Sequence, residues 1–164
     1  MDEAALIADL GSFLREDQLL SSAEDLSVYA FDGTAMLHQR PAGVTLPESR
    51  EEVARILALC NQRGVPVVAR GSGTGLAGGA VPAQGGVVLC LVRLNRILEL
   101  DAANLVMVAE PGVLTQKVAD EAQAAGLFYP PDPGSIKIST IGGNVANNSG
   151  GLRGLKYGVT RDYV

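Results

Sequence analysis

Glycine is concentrated in two clusters whose spacing and neighbours suit the binding of a ligand by backbone groups. The chain has 20 glycines among 164 residues, where an average share of about 7% would give about 11. Eight lie between Gly64 and Gly86, and six between Gly142 and Gly158. Glycine loses more conformational entropy on folding than other residues, so such clusters need a reason. Apolar residues interrupt both clusters, with prolines in the first and asparagines in the second, which favours ligand-binding loops over a flexible linker.

The first cluster contains a loop suited to phosphate. Residues 73–78, Gly-Thr-Gly-Leu-Ala-Gly, match the GxGxxG pattern of a Rossmann dinucleotide site. That site needs a helix directly after the loop, whereas residues 79–86 (GAVPAQGG) are poor helix formers, which disfavours the Rossmann interpretation. We expect instead a nest in residues 70–76, where successive N–H groups converge on phosphate oxygens. The Ser72 and Thr74 hydroxyls add donors, and Arg70 either pairs with a phosphate or braces the loop.

The second cluster differs in chemical character. Residues 140–144 (TIGGN) and 147–151 (NNSGG) combine glycine with amides and hydroxyls. These donors and acceptors suit a planar heterocycle whose edge presents carbonyl and N–H groups. The sequence therefore predicts one loop suited to phosphate and a second segment suited to a planar heterocycle.

Helices and strands are predicted to alternate around these loops, as hydrophobic periodicity and capping signals indicate. Residues 31–40 have no periodicity and are expected to form a surface loop that carries His38 as a surface residue. The long stretch from Phe128 to Val164 is expected to be irregular, which in a compact domain is typical of a binding segment. In chain order, the predicted elements are a helix over 2–15, a short helix after a Ser21–Glu24 capping box, a strand over 42–46, a helix from a Ser49–Glu52 capping box to Gly64, buried strands over 65–69 and 86–91, a hairpin over 97–100 and 105–110, and a helix over 114–125.

Composition excludes several classes of protein. The net charge of −5 and the lack of a basic block argue against nucleic acid as the main partner. No run approaches the roughly 18 apolar residues of a membrane helix. The acidic N-terminus does not resemble an export signal, so a cytoplasmic location is expected. Cys60 and Cys90 lack disulfide or metal spacing and are expected to be buried thiols.

Three strings in the chain resemble the FAD-linked oxidases of the vanillyl-alcohol oxidase type, also called the PCMH type. The resemblance covers about residues 25–164 and is greatest to the FAD subunit of glycolate oxidase and to D-lactate dehydrogenases. Ordered motifs at consistent separations are more specific than one GxGxxG pattern. The strings are residues 66–80 (PVVARGSGTGLAGGA), residues 129–135 with 140–151 (YPPDPGS and TIGGNVANNSGG), and residues 156–164 (KYGVTRDYV).

The resemblance implies an α+β fold, a PCMH-type FAD-binding domain of two lobes that is truncated at its C-terminus. One lobe is a small parallel sheet with helices, the other a mixed or antiparallel sheet with helices, and FAD lies extended between them. Residues 1–40 would be an N-terminal helical segment and residues 41–164 the FAD-binding domain. Because Thr74 stands where some relatives tether the flavin through histidine, FAD is expected to be non-covalent. The implied cofactor-binding residues are Arg70, Gly71, Ser72, Gly73, Thr74, Gly75, Leu76, Pro131, Asp132, Ser135, Ser139, Thr140, Gly142, Gly143, Asn144, Ala146, Asn147, Ser149, Gly150 and Gly151.

The resemblance also implies an activity for the full-length protein, the oxidation of a 2-hydroxy acid of the glycolate or D-lactate type by hydride transfer to flavin N5. The substrate domain and the catalytic base are expected outside this chain, which would be inactive alone, and partner electron-transfer subunits could attach the protein to the periphery of a membrane. Three alternatives stay open: a nucleotide-binding module without redox chemistry, another flavoenzyme of this fold such as an amino-sugar nucleotide reductase, and, least favoured, an NAD-binding Rossmann enzyme.

Overall fold

The computed structural model describes residues 2–34 and 36–164, so residue 35 of the expected 31–40 loop lies outside the described residues. The chain forms two compact units, one up to Arg93 and one from Leu94 to Val164. The elements of the first unit are α1 Glu3–Gly11, a 3-10 turn Glu16–Gln18, β1 Leu19–Leu20, α2 Ala23–Val28, β2 Gly43–Thr45, α3 Arg50–Arg63, β3 Val67–Arg70 and β4 Val87–Cys90.

The first unit is built on a four-stranded sheet in the order β1-β2-β4-β3. β2 and β3 both run parallel to β4, with Val44 and Val68 opposite Val88 on its two sides, and β1 is antiparallel to β2. All four residues of β4 are buried, which agrees with its continuous apolar sequence. β3 was expected to be a buried strand, and this is wrong: it lies at the edge of the sheet, and only Arg70 in it is buried.

Alternating side chains of β4 enter two apolar cores. Val87 and Leu89 pack with Leu6 and Leu10 of α1 and Ile56 of α3. The other core contains Leu26 of α2 with three further buried aliphatic residues and Cys90. Because successive strand residues point to opposite faces, both faces of the central strand are covered. The sheet therefore provides a rigid support for the loop that follows β3.

The boundaries of α3 agree with the sequence prediction. The Ser49 hydroxyl accepts from Glu52 N–H at 3.2 Å, a cap of the kind that typically contributes about 1 kcal/mol. Gly64 ends the helix in the left-handed region, with φ of 64°. The prediction of α3 is correct because the serine cap and the terminal glycine each act within a few residues of a helix end.

Two other helix boundaries were predicted incorrectly. The second helix is capped by Ser22, which accepts from Asp25 N–H at 3.1 Å, rather than by Ser21 and Glu24. Two adjacent serines offer the same capping chemistry, and the sequence alone does not choose between them. α1 ends at Gly11 rather than at residue 15, as glycine is the common residue at helix ends.

The second unit contains the expected hairpin and helix together with short helices that were not expected. Asp101 closes the hairpin turn by accepting from Asn104 N–H at 3.0 Å. The elements are β5 Ile97–Asp101, β6 Val106–Ala109, α4 Thr115–Ala124, α5 Ile141–Asn147, α6 Gly154–Tyr157 and a 3-10 turn Thr160–Tyr163.

The expectation that residues 128–164 are irregular is therefore wrong. Two glycines in the sequence of α5 give it a low intrinsic helix propensity, but tertiary contacts stabilise it. Thr140 caps its start. Gly142 N–H donates to Pro111 O at 2.9 Å, and an added Cβ at Gly142 would lie 2.6 Å from the Pro111 Cβ atom. Glycine is thus needed here for close packing.

Candidate functional site

The first glycine cluster forms the connection between β3 and β4 in the first unit. Residues 71–86, all of which the structure describes, contain no helix. The rejection of a Rossmann site is therefore confirmed, because that site needs a helix N-terminus at the phosphate. The loop leaves the carboxyl end of a parallel strand, where ligands of α/β sheets bind.

Gly73 has a backbone conformation and close surroundings that disfavour a residue with a side chain. Its φ is +73°, in the left-handed region that costs other residues free energy. A Cβ atom there would also collide with the guanidinium of Arg70. The backbone and Arg70 thus approach each other closely at the centre of the loop.

Arg70 is buried and its guanidinium has protein partners. Its Nη1 donates to Phe31 O at 2.7 Å, and its Cζ lies 5.4 Å from the centroid of the Tyr29 ring. These contacts support the loop from within the first unit. Of the two roles expected for Arg70, the geometry favours bracing.

Backbone donors in the loop remain available. Within the described residues, the N–H groups of Gly73, Thr74 and Gly75 have no hydrogen-bond acceptor. Consecutive unpaired N–H groups with a glycine at positive φ are typical of an anion-binding nest. The loop is also accessible, since Ser72 and Leu76 are exposed. The arrangement fits a phosphate or diphosphate group.

A buried aspartate, which was not among the predicted site residues, lies in the segment that contacts this loop. Asp32 is 7% exposed, although residues 31–40 were expected to form a surface loop. Its Oδ1 accepts from Thr34 N–H at 2.8 Å, the Asx turn that an Asp-Gly-Thr sequence favours. Burial alone would raise the pKa of Asp32, but interactions with Thr34, with the Ala80 backbone and with the Arg70 charge hold that pKa below its ordinary value.

The second glycine cluster surrounds a buried polar network in the second unit. Asn144 Nδ2 donates to Thr115 Oγ1 at 2.6 Å. The same Thr115 oxygen lies 3.1 Å from Ser139 O and 3.0 Å from Ser139 Oγ. Buried amides and hydroxyls need such partners. Ser139 and Asn144 therefore hold α4 and α5 together. Both residues were predicted to bind the cofactor, and this structural role was not predicted.

Glycine is also required where Asp132 meets Gly151. These residues form a parallel bridge, with Asp132 N–H donating to Gly150 O at 3.2 Å. Gly151 has φ of +131°, and a Cβ atom there would collide with Asp132 O. Arg153 Nε lies 3.3 Å from Asp132 Oδ2 in an ion pair.

The expected cofactor residues fall into two sets, one in each unit. The first is the 70–76 loop. The second lies in residues 131–151 and varies in exposure. In this second set, Pro131, Ser139, Thr140 and Asn144 are buried, Asp132, Ser135, Gly142, Gly143, Ser149 and Gly150 are half-buried, and Ala146, Asn147 and Gly151 are exposed.

An apolar groove lies within the second unit. Its volume is about 1040 Å³. Its lining includes residues of β5, β6, α4 and α5 and of the segment 126–130. Phe128 and Val145 in this lining are half-exposed, at 55% and 45%.

No helix in the described part of the chain is long and apolar enough to cross a membrane.

The mainly parallel sheet, the helix-free glycine loop and the N–H groups that lack an acceptor among the described residues fit a dinucleotide-binding domain outside the Rossmann class. The chain belongs to the FAD binding domain family, whose model matches residues 41–164. The family inferred from the three strings is therefore confirmed.

Curated relatives and a solved structure agree with this assignment. The chain is 53% identical over 137 residues to the glycolate oxidase subunit GlcD of Bacillus subtilis, covering 84% of the chain and 29% of the relative. It is 50% identical over 125 residues to a D-lactate dehydrogenase of Anaerostipes hadrus, covering 76% and 26%. The structure of p-cresol methylhydroxylase matches with a TM-score of 0.76 at 20% identity, over 89% of this chain and 29% of that one.

These comparisons confirm the PCMH-type fold and the FAD-binding class. The chain spans less than a third of the length of the GlcD and D-lactate dehydrogenase relatives named above. The boundary between a segment 1–40 and a domain 41–164 stays a prediction. Residues 3–11 form α1, and Leu6 and Leu10 pack in the core of the first unit together with Ile56 and Val87.

Proposed function

We propose that this chain is the FAD-holding part of a flavin-dependent dehydrogenase or oxidase of 2-hydroxy acids. The observation that carries the proposal is the 70–76 loop, with Gly73 at positive φ and three consecutive N–H groups without an acceptor in the described residues. Such a loop suits the diphosphate of FAD. The substrate class is supported by relatives named for glycolate oxidase and D-lactate dehydrogenase, both acting on 2-hydroxy acids.

The residues of this chain are assigned to binding and orientation. Gly73, Thr74 and Gly75 would donate to phosphate oxygens, with the Ser72 hydroxyl beside them. In the second unit, the exposed Asn147 amide and the backbone at Gly150 and Gly151 would contact the heterocycle. Bound FAD supplies the acceptor for the α-hydrogen of the substrate, transferred as hydride while the hydroxyl loses a proton and a 2-oxo acid forms. The proton acceptor is proposed to lie outside these residues.

Non-covalent binding is proposed because Thr74 stands where the resemblance implies a flavin-tethering histidine in some relatives. A partner that reoxidises the flavin is proposed because the GlcD relative is named as a subunit. Attachment of a cytoplasmic enzyme to the periphery of a membrane would then occur through that partner.

The test uses the intact natural protein. We expect it to purify with one FAD per subunit, and its flavin absorbance near 450 nm to bleach anaerobically when glycolate or D-lactate is added. A matched addition of acetate, which lacks the hydroxyl group, should leave the spectrum unchanged. A colourless protein that takes up no FAD would refute the binding proposal. A flavoprotein that none of several 2-hydroxy acids reduces would refute the substrate class.

A further inference from the structure

Residues 31–34 contact the glycine loop although they precede the region that matches the family, which begins at residue 41. Gly33 N–H donates to Gly75 O at 2.9 Å. Phe31 O accepts from Arg70 Nη1 at 2.7 Å. An added Cβ at Gly33 would lie 2.8 Å from Gly75 O, so the two backbones are in close contact. We call residues 31–34 the clasp.

Asp32 is the buried anion of the clasp. Its Oδ1 accepts from Thr34 N–H at 2.8 Å, and the charge of Arg70 stabilises the carboxylate. Because these interactions hold its pKa below the ordinary value, the carboxylate is ionised across the neutral range. One buried anion of the clasp thus interacts with Arg70, the first residue of the nest.

The clasp has a buried polar atom beside the loop. Among the described residues, Asp32 Oδ2 is buried and forms no hydrogen bond. Buried polar atoms without partners are uncommon in folded proteins and need an explanation, and this one lies beside the loop assigned to the diphosphate.

We propose that the clasp is part of the dinucleotide site, in which Asp32 and Arg70 are positioning residues that hold residues 70–75 in the anion-binding conformation. The inference rests on the proposed function, since it takes this loop as the diphosphate loop. A loop held in its binding conformation loses less conformational entropy when the ligand binds. FAD affinity should therefore depend on residues that need not touch FAD.

Positioning and simple electrostatics predict opposite signs for Asp32. FAD carries a negative diphosphate, so removing a nearby negative charge would tighten binding if repulsion dominated. In Asp32→Asn, an NH₂ donor replaces one of the acceptor oxygens. If that carboxylate positions the loop, this variant binds FAD more weakly.

The experiment measures the Kd of FAD for the apoprotein of the intact natural protein, by quenching of flavin fluorescence. We expect Kd to rise at least tenfold, equivalent to about 1.4 kcal/mol, in both Asp32→Asn and Arg70→Lys. The lysine keeps the charge but loses the planar guanidinium fork. The matched control Asp120→Asn removes an exposed carboxylate on α4 and should leave Kd unchanged.

A readout beyond affinity separates positioning from phosphate contact. If a residue acts by positioning the loop, the Kd of its variant depends on ionic strength as the wild-type Kd does. If the variant has lost a cationic phosphate ligand, its Kd depends less on ionic strength. If Asp32→Asn does not fold, Gly33→Ala replaces it, because its Cβ would press on Gly75 O and Leu76 without a change in charge. That variant should also raise Kd tenfold.

The clasp proposal would be overturned if Arg70→Lys and the folded Asp32→Asn variant (or Gly33→Ala in its place) both bound FAD with the wild-type Kd. Tighter binding in Asp32→Asn would overturn it too, by showing repulsion instead. Failure of the wild-type apoprotein to bind FAD would instead refute the proposed function on which this inference rests.

Discussion

The replacement Gly73→Ala tests the phosphate loop with the smallest available side chain. Alanine in the left-handed region costs about 1–2 kcal/mol. The new Cβ also displaces the Arg70 guanidinium, whose charged hydrogen bond to Phe31 O is of a type worth about 1.5–3 kcal/mol. The two terms total about 2.5–5 kcal/mol. At about 1.4 kcal/mol per tenfold change, FAD affinity should fall by at least about 60-fold if this cost appears in binding.

The assay is flavin content per subunit after purification, followed by titration of the apoprotein with FAD. Gly79→Ala is the matched control in the same loop, since a Cβ there meets nothing within 4 Å and its φ is not positive. The control should bind FAD like the wild type. Should Gly73→Ala retain wild-type affinity, the assignment of residues 70–76 to the diphosphate is wrong.

Three further predictions concern stability and reactivity. Thr115→Val removes the oxygen that accepts from Asn144, so the free energy of unfolding should fall by about 1–3 kcal/mol; an unchanged urea midpoint would contradict the network. With Thr74 in the loop, acid precipitation should release FAD into the supernatant, and flavin retained in the pellet would show a covalent bond. Burial raises the pKa of the Cys60 and Cys90 thiols, so neither should react with a maleimide at pH 7 until urea is added; rapid labelling of the native protein would refute their burial.

Elements defined by local signals could be predicted from the sequence. Ser49 and Gly64 mark the ends of α3 through contacts within a few residues, and Asp101 marks the hairpin turn in the same way. The absence of a helix after Gly78 also followed from local composition, which removed the Rossmann alternative.

Features that depend on distant residues could not be predicted. α5 forms because Gly142 packs against Pro111, about thirty positions earlier in the chain. Asp32 is buried in a segment that is held against Arg70 and Gly75, about forty positions later in the chain, and nothing in residues 31–40 indicates those contacts. β3 is an edge strand because β4 inserts between it and β2. Propensity and periodicity contain no information on such pairings.

The apolar groove of the second unit affects how folding of this chain can be measured. Groove residues such as Leu105 and Phe128 are 73% and 55% exposed, and surfaces of this kind bind hydrophobic dyes such as ANS. The folded protein should therefore give a dye signal before any unfolding occurs. Dye-based melting curves would start from a high baseline, and the chain has no tryptophan to replace the dye. Circular dichroism is consequently the more suitable way to follow its unfolding.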